Sequence, residues 1–112
     1  MISAIVSRYA AERVFCGEEL DAGCLDLQGA DLSGADFSQA FIVADFRGAN
    51  LEGCRFDGAN VKTCDFRGAN LRHASFVEAA VCAAKFDGAD MEEANFEGAF
   101  FHSYVFSKGE RP

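Results

Sequence analysis

From Ala30 to Phe101 the chain keeps one rhythm: small, polar, large, polar, turn, every five residues. The first slot is Ala in nearly every unit, with Cys54 and Cys64 as the exceptions. The third slot is always apolar, running Leu32, Phe37, Ile42, Phe46, Leu51, Phe56 and onward to Phe101. The second and fourth slots are mostly Asp, Asn, Arg or Glu, and Gly is commonest in the fifth. In extended backbone alternate side chains share a face, so slots one and three point together into a core. Slots two and four then point outward, and a fifth-slot Gly supplies the backbone angles of a corner. Each unit predicts one short straight side and a turn, and so short and strict a period predicts a repeat architecture.

The number of sides follows from the third-slot residues. Taking every fourth one gives a column of Phe46, Phe66, Phe86 and Phe106, then one of Leu32, Leu51, Leu71 and Met91. The remaining columns are Phe37, Phe56, Phe76, Phe96 and Ile42, Val61, Val81, Phe101. Stepping by three instead mixes Phe with aliphatic residues, so like stacks on like only in a square coil of 20 residues. Units such as Ala30-Asp-Leu-Ser-Gly, Ala44-Asp-Phe-Arg-Gly, Ala49-Asn-Leu-Glu-Gly and Ala69-Asn-Leu-Arg-His resemble the pentapeptide-repeat family over about residues 23–108. That resemblance implies an all-β solenoid, a right-handed quadrilateral β-helix of about four 20-residue coils. Residues 1–22 are read as an N-terminal cap and residues 109–112 as a tail. Within the cap, Ile2, Ile5, Val6 and Tyr9 fit a short amphipathic helix, followed by a degenerate first turn.

One unit is short. Ala35-Asp36-Phe37 and Ala44-Asp45-Phe46 stand nine residues apart where ten are expected, and the gap holds Phe41-Ile42-Val43. Ile42 fits the inward column, which sends Phe41 and Val43 outward. Ala80, Cys82, Phe100 and His102 share that wall, making it the candidate partner-binding surface. Phe41 and Phe100 are expected to be partly exposed, and the corner beside Phe41 to be tightened or flattened. At the C-terminal end Phe101, Tyr104 and Phe106 form an aromatic last turn with few residues after it. A poorly covered solenoid end of this kind is a candidate end-to-end interface for a homodimer.

Charge narrows the partners. The net charge is −8 and the isoelectric point near 4.6, which excludes the basic face of a direct nucleic-acid binder. Asp87, Asp90, Glu92, Glu93 and Glu97 concentrate acid late in the chain as a candidate acidic surface. Asp45–Arg47, Asp65–Arg67 and Lys85–Asp87 are expected outward ion pairs, and Asn50 over Asn70 a short amide ladder. No apolar run has the length of a membrane span, and the start lacks the basic region of a signal peptide. Five cysteines, an odd number without a C-x-x-C pair, suggest reduced thiols and a cytoplasmic location.

Chemistry has little to stand on. A rod filled with Ala and Phe predicts no pocket, and His73 and His102 belong to no triad or metal motif. Cys82 and His102 are predicted neighbours on adjacent coils, too few ligands for zinc. No catalytic residue, metal or cofactor is expected. The reading is a non-enzymatic protein-interaction module that self-associates. The family resemblance implies an alternative, because some members imitate duplex DNA and bind DNA gyrase or topoisomerase IV, giving quinolone or toxin protection. Against it, Arg47, Arg55, Arg67 and Arg72 dilute the acid.

Overall fold

The computed structural model describes residues 16–17, 19–101 and 104–112. The helix expected over Ile2–Arg13 lies outside these. Four strands are regular: β1 (Glu19–Asp26), β2 (Phe41–Asp45), β3 (Phe100–Phe101) and β4 (Tyr104–Val105). β1 runs through the expected boundary at residues 22 and 23. The rest of the coil is built from single parallel bridges, such as Asn50↔Asn70, Arg55↔Ser75, Asn60↔Ala80 and Asp65↔Lys85. Each joins residues 20 apart, and four bridged sides per coil make the square β-helix that the columns predict.

One unit shows why the repeat holds. Asn70 N donates back to Ala49 O at 2.9 Å, while Leu71 N and His73 N donate forward to Asp90 O at 2.8 Å and Glu92 O at 3.0 Å. Ala69 N and Ala74 N close the corners at 3.0 Å on Phe66 O and Leu71 O. That leaves Arg72 N, and Asn70 Oδ1 accepts from it at 3.1 Å. All five backbone donors of the unit are therefore satisfied, as buried backbone requires. Asp31, Asp36, Asp45, Asn50, Asn60, Asp65, Asp90 and Asn95 make the same second-to-fourth-slot bond. The second slot is thus Asp or Asn for a reason beyond polarity: a short side-chain oxygen mimics a backbone turn.

Inside, the two Phe columns stack and interlock. Phe37, Phe56, Phe76 and Phe96 lie face to face at 5.2, 4.7 and 4.6 Å. Phe46, Phe66 and Phe86 stack at 5.1 Å. Rings of one column meet rings of the other edge-on, as Phe66 does with Phe56 at 5.8 Å and Phe76 at 5.6 Å. Both geometries suit the aromatic quadrupole.

The short unit flattens its corner. Fifth-slot residues elsewhere have positive φ, for instance Gln39, Gly48, Thr63 and Ala83, but no such residue occurs between Gln39 and Gly48. β2 runs straight through instead. Its partner absorbs the difference, since Leu20 pairs with Ile42 and Leu25 with Ala44. β1 spends five residue steps where β2 spends two.

Candidate functional site

The short unit and the last coil meet on one wall. Phe41 bridges to Asn60, Asn60 to Ala80 and Ala80 to Phe100, one residue per coil. Phe41 is 43% exposed and Phe100 38%. Val43 and Cys82 are half-buried in the fourth slots of the same wall, with exposed Lys62 between them. Ala80, expected to offer contact surface, is only 7% exposed and offers almost none. A methyl group between neighbouring coils lies below the reach of the Asn and Phe side chains beside it. His102 lies outside the described residues.

Val105 is the member that the repeat does not reveal. β4 pairs antiparallel with β3, setting Val105 opposite Phe100 and Tyr104 opposite Phe101. Val105 is 58% exposed, and Phe41, Phe100 and Val105 are the exposed large hydrophobic residues among those described. All belong to one column. The columns make Val105 an outward second-slot residue, but on the wall of Asp45, Asp65 and Lys85, because they place residues 104–106 at the start of a further parallel turn. The chain turns back instead.

That turn changes the C-terminal end. Gly98 N donates to Phe106 O at 2.9 Å and Phe106 N to Ala99 O at 2.8 Å. Phe106 meets Phe96 edge-on at 6.1 Å. Phe101 and Phe106 are half-buried, and the Tyr104 side chain is not among those described. Arg111 Nη1 donates to Met91 O at 2.6 Å, drawing the tail across the last coil. A cavity of about 440 Å³ remains between Ala84–Ala89, Met91, Phe101 and Pro112. The end expected to be poorly covered is thus partly closed by β4 and the tail.

Two thiols are structural. Cys54 Sγ donates to Leu32 O at 3.0 Å and Cys64 Sγ to Ile42 O at 3.3 Å. Burial pushes both up to about 12, so neither forms the reactive thiolate near neutral pH. Among the described residues no group of His, Cys, Asp and Glu is placed to hold a metal ion.

The other walls carry charge in ladders. Arg47 and Arg67 hold Asp45 and Asp65 at 2.8 and 2.7 Å, and Arg47 also lies 3.7 Å from Asp65. Among the described residues Lys85 and Asp87 form no such pair, contrary to expectation. Asn70 Nδ2 donates to Asn50 Oδ1 at 3.3 Å and Asn50 Nδ2 to Asp31 Oδ1 at 3.2 Å, giving the expected amide ladder. Asp87, Asp90, Glu92, Glu93 and Glu97 are all exposed. Arg72 reaches one coil onward to Asp90 at 3.3 Å and Glu92 at 2.7 Å, so two of the five share one positive charge. Stepping by 20 residues from Arg72 would have found Glu92 in the sequence.

Hydrogen bonds from Arg47 and Arg67 hold the Asp45 and Asp65 carboxyls below the usual carboxylate range, against partial desolvation. A lowered folded pKa gives stability that is complete above the unfolded value of about 4. That stability is lost as pH falls through the folded values. Asp65→Asn keeps an oxygen for Arg67 N but removes the charge. Acid unfolding followed by circular dichroism should therefore show a smaller loss of stability below about pH 4 in the variant than in the wild type. Identical acid limbs would show that the ladder contributes nothing.

The sequence profile of pentapeptide repeats matches the chain in 8 copies over residues 26–67, 44–79 and 64–102. Among solved structures, the pentapeptide repeat protein alr5209 from Nostoc Pcc 7120 is 34% identical, with a TM-score of 0.74. The match covers 84% of this chain and 78% of that one. HetL from Nostoc sp. strain PCC 7120, involved in heterocyst differentiation regulation, is 23% identical with a TM-score of 0.42, over 83% of this chain and 49% of its own. QnrB1, a plasmid-mediated fluoroquinolone resistance protein, is 18% identical with a TM-score of 0.41, over 77% and 57%. No curated protein matches the sequence significantly.

Proposed function

The chain belongs to the pentapeptide-repeat family, and from that premise we propose that it is a non-catalytic protein-interaction module working through the Phe41–Phe100 wall. One observation carries the reading. On this wall the second slot gives up the side-chain oxygen that caps the unit at most other second slots. Asn60 keeps it, accepting from Lys62 N at 3.2 Å. Phe41, Ala80 and Phe100 have none to offer. A local hydrogen bond is worth about 1 kcal/mol, and aromatic rings left in water return nothing to folding. Placing Phe where Asp or Asn stabilises the coil makes sense if the rings are used against a partner. Exposed apolar side chains gathered on one face are the usual mark of such a surface.

The reading extends to self-association and to a cytoplasmic setting, which the free cysteines suit. A quantitative capture experiment tests the wall. Wild-type protein, F41S/F100S and the control Arg55→Ser on another wall are immobilised and exposed to lysate and to soluble copies of the protein. Any true ligand should be held by wild type and control and weakened at least about tenfold by the double variant, since buried aromatic anchors contribute over 1 kcal/mol each. Equal capture by all would reject the wall as the working surface.

A second reading, a DNA-mimic regulator of a type II topoisomerase, draws on the net charge of −8 and on the exposed late carboxylates. DNA carries a charge about every 1.7 Å along its axis, whereas Arg72 interrupts this surface between Asp90 and Glu92. A gyrase supercoiling assay separates the readings, because only the mimic inhibits it or relieves quinolone-induced cleavage.

A further inference from the structure

We infer that the open C-terminal edge of the rod binds an extended segment of another protein by strand addition, and that the segment reads small–acidic–aromatic–basic. The inference goes beyond the Phe41–Phe100 wall and does not depend on it. One coil earlier the edge groups are paired: Phe66 N donates to Lys85 O at 2.8 Å, Gly68 N to Asp87 O at 3.1 Å, and Cys64 O accepts from Lys85 N at 3.1 Å. In the last coil the equivalent groups, Phe86 N, Gly88 N and Ala84 O, have no such partner among the described residues. β4 and Phe106 cover two other sides, through Val105 on Phe100 and through Phe106 on Gly98 and Ala99. They leave the Ala84–Gly88 side open, beside the cavity of about 440 Å³ bordered by Phe86, Met91, Phe101 and Pro112. That volume lies within the roughly 300–1,000 Å³ of ligand sites. A row of unpaired N–H and C=O groups is a template for another strand.

The coil's own pattern sets the register. The second residue of the segment would donate to Ala84 O and accept from Phe86 N, and its fourth would accept from Gly88 N, as Lys85 and Asp87 do with the coil before. Its first residue then follows Ala44, Cys64 and Ala84 and must be small. Its third follows Phe46, Phe66 and Phe86, which stack at 5.1 Å. Charge decides the other two. The outward columns read Asp45, Asp65, Lys85 and Arg47, Arg67, Asp87, so both signs invert in the last coil. Among the described residues no ion pair holds Lys85 or Asp87. An acid facing Lys85 and a base facing Asp87 complement them. The chain's own next residues fail the pattern: Tyr104 is too large for the first slot, and Val105 and Ser107 carry no charge. Residues 44–47 and 64–67 fit it, but both stretches are already paired on their two edges. A folded second copy therefore cannot offer them, and the occupant is a segment of a different protein.

Fluorescence anisotropy with a labelled peptide tests the edge. The probe has the sequence of residues 44–51, Ala-Asp-Phe-Arg-Gly-Ala-Asn-Leu. The full chain should bind it at least about tenfold more tightly than a peptide with the Asp and Arg exchanged, which sets like charges face to face. Lys85→Ser with Asp87→Ser, both at exposed sites, should keep the thermal transition and lose that preference. A peptide N-methylated at its Asp lacks the N–H for Ala84 O and should bind at least about tenfold more weakly than the probe. N-methylation at its Phe, whose N–H would point away from the rod, should be tolerated. No binding of the probe at high micromolar concentration overturns the inference. So does equal binding of the exchanged peptide, a preference that survives the double Ser variant, or equal binding of the two N-methylated peptides. None of these results bears on what the Phe41–Phe100 wall captures.

Discussion

Replacing Phe66 with Ala should cost about 3–5 kcal/mol of stability, the largest loss expected from any single truncation in the rod. Phe66 has no exposed surface. It stacks on Phe46 and Phe86 at 5.1 Å and meets Phe56 and Phe76 edge-on. Four rings therefore lose a neighbour at once, and none can move in to fill the space. Each is pinned by a coil whose spacing is set by hydrogen bonds such as Phe66 N to Lys85 O at 2.8 Å. A cavity that cannot collapse carries the upper end of the truncation cost. Because whole domains are stable by only about 5–15 kcal/mol, much of the total is removed. Thermal unfolding should shift down by more than about 10 °C. Phe106→Ala, at a half-buried ring beyond the last full coil, should cost much less. Equal losses at the two sites would mean that the stacked column is not the source of stability.

Enlarging the first slot should be nearly as damaging. Ala40, Ala59, Ala79 and Ala99 form an inward column, each no more than 1% exposed. Ala59 is fixed by Ala59 N to Phe56 O at 3.0 Å, and its carbonyl accepts from Ala80 N at 2.9 Å. Ala59→Leu adds three carbons where the corner, the coil spacing and the neighbouring Phe56 are all held. Overpacking of this kind costs about 1–3 kcal/mol, and here the backbone has little freedom to yield. Lys85→Leu, on an exposed second slot, should stay within about 0.5 kcal/mol. Urea unfolding of the two variants checks the contrast. If Ala59→Leu were neutral, the first slot would not be limited by space, and the preference for Ala would need another cause.

These two expectations were legible before any coordinates, because each depends on one column of a strict repeat. The period of five placed every ring of Phe37 to Phe96 in its stack, and the residues inside an extended unit have only two directions to point. The sequence also marked the wall of Phe41 and Phe100, since apolar residues in outward slots break an otherwise regular pattern. It did not explain why those slots are usually Asp or Asn. That reason is a hydrogen bond to a backbone donor two residues on, visible only once the Arg72 N–H is seen turned toward Asn70.

By itself, then, the sequence determined what repetition enforces: the square coil, the contents of its four columns as far as Phe101 and the direction of the side chains within them. Only the tertiary structure decided what happens where repetition fails. The short unit could have sharpened its corner, but β2 runs straight beside a β1 whose register shifts between Leu20 and Leu25. Residues 104–106 could have begun another parallel coil, but they turned back on β3, exposing Val105 and partly closing the end. Arg72 could have been one more surface charge, but the coil beyond it supplies Asp90 and Glu92. Inside the repeat each unit meets a copy of itself, so local pattern suffices. At its interruptions and its ends the neighbours differ, and the balance among corner geometry, backbone pairing and charge is struck between residues the sequence sets far apart.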